Sequence, residues 1–122
     1  HIGIATKDLK SSLEFVQKNF EVLEVSEEIF DENQNATLQM IKTKDLNIEL
    51  VSGKVVEKLI ASKITYYHIC YEVEDIYGKI EEFQKNGGAM LVSSVKPAIL
   101  FDNRLVAFLM TPLGLVELLN AN

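Results

Sequence analysis

HIGIATKDLKSSLEFVQKNF occupies residues 1–20 and HICYEVEDIYGKIEEFQKNG occupies residues 68–87. Aligned without a gap, the segments share His, Ile, Asp, Glu, Gln, Lys and Asn at the same positions, and several other positions exchange one apolar residue for another. They lie 67 residues apart, and each begins with a histidine. Self-similarity at a fixed period is the mark of a duplicated structural unit.

Each copy opens on a short strand-like run. An aspartate follows, Asp8 or Asp75, where a carboxylate suits the positive end of a helix dipole. Leu9, Leu13, Val16 and Phe20 then fall at helical spacing, as do Ile76, Ile80 and Phe83, and Gly87-Gly88 supplies a stop. After each helix the apolar period drops to two. This predicts strands over 22–30, 36–43 and 47–51 in the first half, and over 89–95, 104–110 and 115–119 in the second. Residues 31–35, 42–45 and 111–114 read as turns, and 95–103 as a longer loop.

Each half is therefore β-α-β-β-β. One such unit is too small to bury its own sheet face, and two side by side complete a layered domain. The expected fold is α+β, a single domain over 1–122: module one at 1–51, a linker with a short helix at 52–65, and module two at 66–122. The modules would form a curved mixed sheet with helices on its convex side and a concave face left to line.

Composition narrows the partners. Of the residues, 48% are hydrophobic, enough for a real core and against disorder. A net charge of −6, with eleven scattered lysines and Arg104 as the single arginine, argues against nucleic acid and against an anionic membrane surface. No stretch approaches a membrane span and no signal-like segment is visible. Cys70 is the lone cysteine, so no internal disulfide forms, which suits a reducing compartment and a cytoplasmic location. A histidine at position 1 reads most simply as part of a strand whose upstream residues lie outside this sequence.

Strand alternation assigns faces. Ile2 and Ile4 oppose His1, Gly3 and Ala5. Ile69 and Val73 oppose His68 and Cys70. Glu49 opposes Ile48 and Leu50, and Glu117 opposes Val116 and Leu118. The branched residues suit the helices, so His1, Glu49, His68 and Glu117 share the other face. Glu49 follows His1 by 48 residues and Glu117 follows His68 by 49, so the duplication carried the glutamate as well as the histidine. A lone histidine or glutamate in a strand is more often a surface residue, but four related by the repeat point to one site. Carboxylates flanked by apolar residues need a partner or a metal, and two imidazoles with two carboxylates suit a borderline divalent cation.

HIGIATKDLKSSLEF, NIELV, YHICYEVEDI, FDNRLVAFL and GLVELLN together resemble the vicinal oxygen chelate superfamily, over essentially the whole chain. That superfamily includes glyoxalase I, methylmalonyl-CoA epimerase, fosfomycin- and bleomycin-resistance proteins and extradiol dioxygenases, and the likeness is greatest to the glyoxalase I and epimerase branch. The resemblance implies the glyoxalase/bleomycin resistance fold and one divalent metal ion held by His1, Glu49, His68 and Glu117. Nickel or zinc is expected, with cobalt or manganese as the other choices. Glu49 counts against the dioxygenase and fosfomycin branches, which generally use two histidines and one carboxylate. The resemblance further implies a glyoxalase I-type (lactoylglutathione lyase-like) lyase or isomerase in which a proton is removed next to a carbonyl and an enediolate is held by the metal, with Glu117 and Glu49 as the catalytic carboxylates. The substrate would be a small molecule, a thiohemiacetal or an acyl thioester, and the protein a homodimer.

Two alternatives stand beside this reading. One is a methylmalonyl-CoA epimerase-like acyl-CoA epimerase. It would want a glutamate in an E-Q-G-V-like segment, and here Asn33 occupies that place before Gln34, with Asp31 and Glu32 as substitutes or as plain turn residues. The other is a non-catalytic binding or resistance module. For substrate contacts, Phe108 and Met110 read equally as pocket floor or core. Arg104 reads equally as an anion receptor or a surface residue.

Overall fold

The two aspartates of the repeat start the two long helices of the computed structural model, which describes residues 1–122. Asp8 precedes α1 (Leu9–Asn19) in an extended conformation and accepts from the Ser11 amide. Asp75 precedes α3 (Ile76–Asn86) and accepts from the Gly78 amide. Such caps satisfy donors that the first helical turn leaves open. Gly87, at φ 82°, ends α3 in a conformation that favours glycine. Phe20 does not continue α1 as its spacing predicts. It is extended, with its amide still on the Val16 carbonyl and its ring 53% exposed, because the chain is already turning toward the next strand.

The chain divides into two compact units, His1–Tyr67 and His68–Asn122. The first holds β1 (Ile2–Ala5), α1, β2 (Val22–Val25), β3 (Ile29–Asp31), β4 (Ala36–Thr43), β5 (Asn47–Gly53) and α2 (Glu57–Ala61). Its strands run in the order β2-β4-β5-β1, with β3 also on β4. β1 is parallel to β5, and the remaining pairs are antiparallel. Leu9, Val16, Ile41 and Leu50 are buried together where α1 meets one face of this sheet. Each such side chain contributes about 1.5–3 kcal/mol by leaving water.

The second unit repeats the plan with β6 (Tyr66–Val73), whose first two residues group with the first unit, then α3, β7 (Met90–Ala98), β8 (Arg104–Thr111) and β9 (Gly114–Asn120). The order is β6-β9-β8-β7, with β6 parallel to β9. Ile76 and Ile80 of α3 pack on Ala107, Leu109, Val116 and Leu118. The Asn120 side-chain oxygen accepts from the Ile76 amide at 2.9 Å and ties the helix start to the end of β9.

Two strand expectations are corrected. The strand predicted over 22–30 is broken, because the Ser26 hydroxyl takes the Met40 amide at 2.9 Å in place of a backbone carbonyl. The strand predicted to end at 95 runs on to Ala98 through Pro97, which β7 accommodates as an edge strand with two register shifts. The stretch at 52–65 carries its expected short helix as α2, preceded by the end of β5 and a turn of 3₁₀-helix at Lys54–Val56 in which Val56 is fully buried. Gly53, at φ 133°, makes the exit from β5 possible, since a side chain there would meet the Asn35 carbonyl oxygen at 2.9 Å. No helix is long and apolar enough to cross a membrane.

Candidate metal centre

In each unit the parallel strand pair sets a glutamate opposite a small residue. Gly3 is in register with Glu49 across β1 and β5, and Cys70 with Glu117 across β6 and β9. The histidine of each unit stands two residues earlier, on the same side of the pleat. The result is two similar pairs. His1 Nε2 lies 3.9 Å from Glu49 Oε2, and His68 Nε2 lies 3.2 Å from Glu117 Oε1.

The antiparallel neighbour closes each glutamate on its other flank. Met40 is in register with Glu49, and Phe108 with Glu117. Both large apolar side chains are buried. The Phe108 ring meets His68 edge to face, with centroids 5.3 Å apart and planes at 87°, which limits rotation of the imidazole. Cys70 itself packs with Ala98, Val106 and Leu119 as a small apolar residue. Met40 was not singled out from the sequence, although the repeat sets it against Phe108. Only the strand register makes the equivalence plain.

Met110 lies two residues beyond Phe108 on β8 and is exposed. Arg104 has intrachain acceptors. Its Nη1 is 3.4 Å from Glu72 Oε2, 3.5 Å from the Asn120 carbonyl and 3.3 Å from the Ala121 carbonyl, and its guanidinium lies over the Phe101 ring at 5.8 Å. These contacts clamp the chain end to β6.

The turn at 31–35 holds a network that the sequence did not reveal. Asp31 is buried and accepts from the Asn33 amide at 2.9 Å and from Gln34 Nε2 at 3.0 Å. With its amide nitrogen so committed, Gln34 turns Oε1 to the Tyr67 hydroxyl, 3.4 Å away. Glu32 and Asn33 are exposed.

The donor types fit a metal. Each unit offers one imidazole and one carboxylate, removed from solvent and adjacent, a nitrogen-and-oxygen set that suits zinc, nickel, cobalt or manganese better than calcium. Against known proteins, residues 1–108 match the model of the glyoxalase/bleomycin resistance protein/dioxygenase superfamily. The chain belongs to that superfamily, whose members are mostly metal-dependent enzymes acting on small molecules. No curated protein gives a significant match. Among solved structures, methylmalonyl-CoA epimerase from Mycobacterium tuberculosis is similar over 100% of this chain and 86% of its own, at 18% identity and a TM-score of 0.82. A hypothetical protein from Bacillus halodurans is similar over 100% and 92%, at 23% identity and a TM-score of 0.75. At these identities the likeness is one of fold.

Proposed function

We propose that His1, Glu49, His68 and Glu117 together hold one divalent metal ion, and that the protein is a metal-dependent lyase or isomerase of glyoxalase I type. The observation that carries this reading is the repeated pair: a buried imidazole beside a buried carboxylate at the same place in both units. Nickel or zinc fits best by donor type, and cobalt or manganese follows. When bound, such an ion supplies Lewis-acid polarisation of a substrate carbonyl. Glu117 then takes the proton from the adjacent carbon and returns it to the neighbouring one, and Glu49 is the equivalent base in the other unit. Phe108 forms an apolar wall that keeps water from the reacting carbon, and Met110 extends it along β8. Arg104 binds an anionic group of the substrate by exchanging Glu72 for it.

The preferred substrate is a thiohemiacetal. An acyl-CoA thioester is second, because the turn at 31–35 presents no ready base. Its one buried carboxylate, Asp31, already accepts two hydrogen bonds, and Asn33 is an amide. On the same reading the protein is a cytoplasmic homodimer. Elemental analysis of tag-free protein tests the metal, with wild type expected to carry about one ion per chain and His68→Ala to lose it. Assays with methylglyoxal hemithioacetals and with methylmalonyl-CoA then separate the two chemistries. Turnover of neither by metal-loaded protein overturns the enzymatic reading and leaves a binding module.

A further inference from the structure

The duplication separates residues kept for the fold from residues that one copy alone has acquired. On the helix side of the second unit, an open groove of about 880 Å³ runs past β6, α3 and the turn between β8 and β9. Tyr71, Phe83 and Leu113 form its apolar part, and Glu74 and Glu82 stand around them, while the carboxylate of Glu72 at the rim is held by Arg104. A smaller hollow of about 250 Å³ shares the same three apolar residues and lengthens it. Tyr71 is 46% exposed and Leu113 67% exposed, a large apolar surface for a folded chain to leave in water. The fold does not demand the composition. At the equivalent positions, 67 residues earlier, the first unit has Ile4 for Tyr71, Ala5 for Glu72, Lys7 for Glu74 and Phe15 for Glu82, yet it builds the same strand and helix. Asp75, by contrast, matches Asp8, and both cap helices.

With Glu72 paired to Arg104, the lining sets three carboxylates, Glu74, Asp75 and Glu82, against one ammonium, Lys79, whose nitrogen lies 3.0 Å from Glu82. Aromatic faces beside an excess of carboxylates favour a cation with an apolar body, through burial, cation–π contact and a focused negative potential. The size is that of pockets that take drug-sized molecules. Tyr71 and Leu118 point to the helix side of the sheet, whereas Glu117 and His68 point to the other, so within this unit the groove is separate from the metal-binding pair.

We propose that this groove is a binding site for a hydrophobic organic cation, its apolar body against Tyr71, Phe83 and Leu113 and its charge beside Glu74 and Glu82. Fluorescence anisotropy of rhodamine 6G, a xanthene monocation, tests this on the full chain against fluorescein, an anionic dye of the same skeleton. Saturable binding of rhodamine 6G at about one dye per chain is expected, at least about tenfold tighter than fluorescein, weakened about tenfold by the double substitution Glu74→Gln/Glu82→Gln, and unchanged in His68→Ala. Nuclear magnetic resonance of wild-type protein should show dye-induced shifts at the Gly78 and Leu113 amides, which keeps the proposal testable should the double variant misfold. No saturation, equal binding of the two dyes, or loss of binding in His68→Ala would overturn it. So would displacement of the dye by a polylysine peptide but not by tetraphenylphosphonium, which would mark a peptide groove. Dye release on self-association, seen by sedimentation, would assign the surface to a second copy and also overturn it.

Discussion

His68 Nε2 stands 3.2 Å from Glu117 Oε1 with both side chains at or below 2% exposure, whereas His1 Nε2 and Glu49 Oε2 are 3.9 Å apart with His1 at 5%. The second unit thus holds the tighter and drier half of the proposed site. Glu117→Gln keeps the shape and removes the charge. Metal affinity, measured by calorimetric titration, should fall by at least about 10- to 100-fold, a loss seen even when groups that merely support a ligand are removed.

Stoichiometry distinguishes one shared ion from two separate ones. If the two pairs serve one ion, wild type should bind about one per chain, and His1→Ala and His68→Ala should each abolish tight binding. About two ions per chain, with each variant losing one, would show that each unit binds its own.

Removal of the metal should lower the thermal midpoint. An ion held at about a hundredfold its dissociation constant adds about 2.7 kcal/mol, which for a chain of this size corresponds to roughly 10 °C. Scanning calorimetry before and after chelation reads this directly, and an unchanged midpoint would count against a tightly held ion.

Phe108→Ala should cost about 3–5 kcal/mol, as expected for a buried aromatic side chain. Phe108→Leu should restore most of that stability while leaving His68 without its edge-on ring. Chemical denaturation measures the first effect. A lower kcat in the Leu variant, without loss of stability, would identify the ring as a positioning group.

Asp75→Ala removes the acceptor that caps α3 and should cost about 1 kcal/mol, as should Asp8→Ala at α1. Neither should alter metal content, which makes the pair a control for the losses at the histidines and glutamates.

That His1, Glu49, His68 and Glu117 share a face was legible because duplication doubled the signal, one spacing of about fifty residues found twice, whereas the parallel strand pair that sets each histidine beside its glutamate is visible only in the fold. The helix starts were legible at Asp8 and Asp75 for a local reason, since a cap depends only on the next three residues. What escaped depends on partners distant in sequence. The break after Val25 needs Ser26 to find Met40, fourteen residues on. The tie of Arg104 to the chain end needs Asn120 and Ala121. The orientation of Gln34 needs Tyr67, thirty-three residues on. Periodicity reports which face a residue takes and is silent on which polar atoms meet.

The outer strands of the two units bear on how the protein behaves when crowded. β7 carries Met90, Leu91 and Val92 exposed on a strand with one neighbour, a sequence suited to templating further strands into a growing fibre. Two register shifts and Pro97 interrupt its ladder, and in the first unit β2 and β3 are only four and three residues long. The irregular edges deny an incoming chain a continuous row of donors and acceptors. Pro97→Val, which restores a donor and raises strand propensity, turns that protection into a liability in concentrated solution.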